Sequence, residues 1–139
     1  MTSDPSGSPT RLFATTFGVG YVAVGLVGFA MTGLDGFTSR NGPLVLGLFE
    51  VNPLHNLVHL LLGSALVVAG ARSAADARMV TIVVGVAVGA VGLLGPLITS
   101  AGELALNGAD NVLHLVTAVL AFLAVLAESR RDAGGRPAR

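Results

Sequence analysis

The chain has 139 residues, 53% of them hydrophobic and 12% charged, and its formal net charge is zero. A water-soluble domain carries about 25% charged residues, so this composition excludes an ordinary soluble fold and points to a chain solvated by lipid. The absence of cysteine excludes disulfides, thiolate metal sites and c-type haem attachment, and the absence of lysine beside only eight arginines excludes a basic nucleic-acid surface.

Residues 1–10 are rich in Ser, Pro and Gly and are expected to be disordered. Four apolar blocks follow, with helices expected at 12–33, 53–71, 79–99 and 108–127. At 1.5 Å per residue each crosses the ~30 Å hydrocarbon core, giving an all-α, polytopic membrane domain of four transmembrane helices over 11–128. The first block is too long for a signal-peptide core and reads as an anchor. Between the first two blocks, Pro43 to Val51 is apolar but short, and is expected to lie at the interface with Glu50 facing water or His55. Gly18, Gly25 and Gly28 in the first helix, and Gly85, Gly89, Gly92 and Gly95 in the third, form small-residue faces suited to a neighbouring helix, a second copy or another membrane protein. Pro96 is expected to kink or end the third helix. The arginine-rich residues 129–139 are expected to form a disordered cytoplasmic tail. Four spans put both termini and the middle loop on one side, and seven of the eight arginines fall there; both termini are therefore expected in the cytoplasm.

The polar residues repeat. Asn52-Pro53-Leu54-His55-Asn56-Leu57-Val58-His59-Leu60 aligns without a gap on Asn107-Gly108-Ala109-Asp110-Asn111-Val112-Leu113-His114-Leu115, an offset of 55, and the run from Val22 to Gly28 aligns on Val86 to Gly92 at an offset of 64. The chain thus reads as two helical hairpins inserted in parallel, related by a pseudo-two-fold axis along the membrane normal. Asn52 and Asn107 are N-cap residues, Pro53 suits the first helical position, and His55 and Asp110 stand where a capping-box partner reaches back. Asn56, Asn111, His59 and His114 lie one to two turns into their helices, where lipid exposure is costly, so they should face the bundle interior.

Two accounts of this cluster stand side by side. In one, Asn52, Asn56, His59, Asn107, Asn111 and His114 form an interhelical polar network. In the other, His55, His59, Asp110 and His114 ligate a transition metal, both pairs having the i, i+4 spacing that presents two ligands to one ion, or His59 and His114 hold a b-type haem axially.

The stretch from Leu46 to Gly63, followed by Asn107 to Leu115, resembles the signature of the domain-of-unknown-function family 4383, small four-helix membrane proteins found chiefly in actinobacteria. The resemblance covers Thr10 to Ala127 and departs at Thr117, where the family often has Gly. It implies a multi-pass protein of the bacterial cell membrane with no assigned activity. The first functional reading is accordingly a structural or accessory membrane protein, with the lipid bilayer as partner and no cofactor. No Ser/His/Asp order, phosphate loop or pair of intramembrane carboxylates marks an enzyme. The alternative is a metal- or b-haem-binding protein with its site between the second and fourth helices near the outer face, and the third reading is an oligomeric transporter or proton path.

Overall fold

A computed structural model describes residues 7–101 and 104–134, and their side chains except at 99–101. The chain is all-α apart from one minimal hairpin. Its elements are α1 (Pro9–Thr32), β1 (Leu44–Val45), β2 (Phe49–Glu50), α2 (Pro53–Arg72), α3 (Ala74–Ala101) and α4 (Gly108–Gly134). All four helices are long and apolar enough to cross a membrane, and their outer faces expose leucines such as Leu12, Leu61, Leu93 and Leu97. Such surfaces belong in a lipid bilayer.

Successive helices run antiparallel. At the end where α1 starts, Arg11 donates from Nε to the Gly70 carbonyl at 2.8 Å, tying the start of α1 to the last turn of α2. Ser73 alone links α2 to α3 and caps the latter, accepting from the Asp76 amide at 3.0 Å. Helix α1 starts earlier than the sequence suggests, because Pro9 follows an N-cap at Ser8. That cap is sealed from across the bundle, where Glu128 Oε2 accepts from the Ser8 hydroxyl at 2.7 Å and from the Thr10 amide at 3.2 Å. Helix α4 also runs further than expected, to Gly134, with Ser129 and Asp132 bonded by Arg78 of α3 at 2.9 and 3.4 Å. The part of the expected disordered tail from 129 to 134 is therefore helix; residues 135–139 and 1–6 lie outside the described residues. Pro96 does not end α3, which continues to Ala101.

Glycines bring the helices together in pairs. A Cβ on Gly18 of α1 would lie 2.9 Å from the Gly63 carbonyl of α2, and one on Gly63 would lie 2.8 Å from the Gly18 carbonyl. Further along, a Cβ on Gly25 would meet Leu60 Cγ and the Asn56 carbonyl at 2.8 and 2.9 Å, and one on Gly92 would meet Leu115 Cγ and the Asn111 carbonyl at the same distances. Gly28 then faces the Asn56 amide as Gly95 faces the Asn111 amide. These contacts match α1 to α3 at an offset of 67, three residues beyond the 64 suggested by the Val/Gly runs. Packing against a fixed asparagine sets the register, and a low-complexity run does not.

A methyl group at Gly28 or Gly95 has to displace an asparagine amide. Gly28→Ala is expected to cost about 1–3 kcal/mol, as overpacking does elsewhere, and to lower the melting temperature in detergent. The loss should be smaller in an Asn56→Ala background, where the obstructing amide is gone.

Candidate functional site

The site grows from two helix starts. The first N–H groups of a helix have no partner within it, and here asparagines supply one. Asn52 Oδ1 accepts from the His55 amide at 2.8 Å, and Asn107 Oδ1 accepts from the amides of Ala109 and Asp110 at 2.8 and 3.1 Å. Asp110 completes a capping box by accepting from the Asn107 amide at 2.9 Å. The same carboxylate oxygen accepts from the Glu50 amide at 3.0 Å, so one side chain joins β2 to the start of α4. Asn52 donates to the Ser39 carbonyl and Asn107 to the Leu48 carbonyl, fastening the hairpin loop from both sides.

The hairpin replaces the expected plain interfacial segment. Its turn holds Leu46 at φ 55° and Gly47 at φ 70°, the paired left-handed residues of a tight hairpin turn. Val45 and Val51 are buried under it, β1 lies against α1 and β2 against α4. The Glu50 carboxylate accepts from the Gly42 amide at 3.1 Å, within the loop itself.

Beneath this cover the three histidines converge. The ring centroids of His55 and His59, one turn apart on α2, are 4.5 Å apart, and His114 of α4 lies 5.9 and 6.2 Å from them. One nitrogen from each imidazole falls within 4.8 Å of the other two. All three residues are at least nine-tenths buried.

Their hydrogen bonding is incomplete in a consistent way. His55 does not reach back to cap its own helix. Its Nδ1 lies 3.1 Å from the Glu50 carbonyl and 3.0 Å from the Ala105 carbonyl, both of which only accept, so Nδ1 carries a proton and donates to them. The lone pair of His55 Nε2 is left buried without a partner, as are His59 Nδ1 and His114 Nδ1. Leaving a buried polar atom unmade costs about 1–3 kcal/mol.

The remaining candidates divide. Asp110 stands outside the converging set, its oxygen committed to the Asn107 and Glu50 amides. Asn56 donates to the Thr32 hydroxyl at 3.0 Å, toward α1 rather than toward α4. Asn111 packs its amide on Gly95. Of the six residues expected in an interhelical polar network, Asn52 and Asn107 bond to the loop and to their own helix starts and Asn56 bonds to α1, while Asn111 Oδ1, His59 Nδ1 and His114 Nδ1 are buried without a hydrogen-bond partner. Tyr21 is an additional member, its ring centroid 5.0 Å from that of His59. A sole tyrosine at mid-helix in a chain without tryptophan was the available signal for it.

The family model for a domain of unknown function, DUF4383, matches residues 11–127. The chain belongs to the DUF4383 family. The DUF4383 match takes in both asparagine caps, all three histidines and Asp110. No curated protein and no solved structure shows significant similarity to the chain.

Asp110→Ala removes the acceptor shared by the Asn107 and Glu50 amides. It is expected to cost about 1–3 kcal/mol and to speed hydrogen–deuterium exchange at Glu50 more than at Leu66 in the middle of α2. Equal acceleration at both positions would place the effect elsewhere.

Proposed function

We propose that this DUF4383 protein binds a transition-metal ion through His55, His59 and His114. The observation that carries the reading is a triplet of buried imidazoles, each with one unpartnered nitrogen and each offering one nitrogen within 4.8 Å of the other two. A hydrogen-bonded network satisfies its members, whereas these three nitrogens are unpartnered, and a cation meets all three once each presents its lone pair. Metal-binding histidines usually donate their other ring N–H to a carbonyl, which fixes the tautomer, and His55 already does so twice. Zinc bound at about 2.0–2.1 Å sets nitrogens about 3.4 Å apart, so closing from within 4.8 Å needs side-chain adjustments of about an ångström and no helix movement. Three histidines leave a tetrahedral ion one further position, the arrangement of reactive rather than purely structural zinc sites.

Haem is the less supported cofactor. From the three centroid distances, His55 lies about 1 Å from the plane midway between His59 and His114 and about 4 Å off their axis, inside the footprint of a porphyrin held by both. Asp110, committed to two amides, serves the proposed site as a support rather than a ligand.

We also read the domain as two copies of one hairpin, supported by the matching contacts of Gly25 and Gly28 with α2 and of Gly92 and Gly95 with α4. The arginine distribution supports placing both termini in the cytoplasm, with the histidines toward the outer face. The resemblance to an actinobacterial family supports the bacterial cell membrane as its location. The accessory role then becomes metal handling: holding an ion near the outer surface for a membrane partner.

Purified in detergent and dialysed against zinc, the wild type should retain one ion per chain by elemental analysis. His59→Ala combined with His114→Ala should lose it, while Asn111→Ala, which leaves all three imidazoles in place, should keep it. Equal zinc in all three proteins would remove the histidines as ligands.

A further inference from the structure

A cavity of about 310 Å³ lies between α1 and α4, with His59 and His114 in its wall, at the small end of the range for sites that bury a compact ligand. The hairpin covers it at the end where α2 and α4 start, since β1 touches α1 and β2 touches α4. On the seam between those two helices it is lined by Gly20 of α1 and Leu113 of α4, both exposed. There Gly20 presents no side chain, and a Cβ added to it would meet nothing within 4 Å. In a bilayer that seam faces acyl chains, so the route to the histidines runs from lipid.

The lining selects among lipid-soluble molecules. Phe17, Tyr21 and Phe49 supply flat apolar walls, and the polar groups of the lining include His59, His114, Asp110, Thr16 and Thr117. The lining has no arginine, so apart from the ion itself it offers an anionic headgroup no cationic side chain to pair with. With the three imidazoles holding the ion, its fourth position is still open, and a bare acyl chain has no donor atom to fill it. We infer that the cavity takes the oxygenated ring of a lipid-soluble quinone or phenol, which enters between α1 and α4 and brings a ring oxygen to the open position of the histidine-bound ion. This inference rests on the ion-binding reading above.

Tyr21 lines the cavity, and as the only tyrosine in a chain without tryptophan it is the reporter. Zinc-loaded protein in detergent is titrated with menadione, and zinc content is measured on the same samples. The wild type should show saturable quenching of Tyr21 emission. Gly20→Leu and Thr16→Phe, which fill the seam, should weaken apparent affinity at least about tenfold, or about 1.4 kcal/mol, with zinc content unchanged. Zinc-loaded wild type that shows no saturable quenching overturns the inference and leaves the ion reading standing. Failure to bind zinc overturns both. Equally strong quenching by a brominated alkyl detergent assigns the cavity to a chain rather than a ring, and overturns the inference.

Discussion

Two asparagine caps set the positions of everything else at the site. A helix that starts near a membrane surface has unpaired amides, and the residues that pair them fix where the helix begins. Asn52 starts α2 so that His55 and His59 follow within two turns, and Asn107 starts α4 so that His114 does the same. Because exposing imidazoles to lipid is costly, they turn inward and meet. The loops between helices are then drawn onto this end: Asn52, Asn107 and Asp110 each hold a backbone group of the segment from Ser39 to Glu50.

Helix packing follows a different rule, one of close approach. Glycines let α1 lie against α2 and α3 against α4 at distances no side chain would allow. In lipid such contact draws on van der Waals packing, because apolar surface gains little by leaving one apolar medium for another. The seam between α1 and α4 lacks this tight interlock along its middle, and the cavity opens there. Tight pairs and a looser seam make the bundle both a scaffold and a container. At the opposite end, Glu128 and Arg78 bind α4 to the neighbouring helices, so the looseness is local.

The spans and caps were legible in the sequence because they depend on local rules: hydrophobic length, and an asparagine followed by proline or glycine at a helix start. The meeting of His59 with His114 was legible too, since repeat spacing and the cost of lipid exposure both drive it. What the third residue after each cap would do was legible only in part, both being expected to reach back as capping-box partners. His55 and Asp110 occupy equivalent positions, yet Asp110 caps its helix while His55 bonds the Glu50 and Ala105 carbonyls. The difference comes from loops folding in from distant sequence. The hairpin was hidden because Leu46 occupies a left-handed position usually marked by Gly or Asn. The last turns of α4 were hidden because Ser129 and Asp132 read as tail until Arg78 comes beside them.

The central claim is that three imidazoles bind one ion, and zinc K-edge X-ray absorption on the purified, zinc-loaded protein tests it most directly. The account predicts a four-coordinate first shell at about 2.0–2.1 Å with the outer-shell scattering of three imidazole rings. A shell made only of oxygen, or one with a single imidazole, would contradict it and return the three histidines to packing.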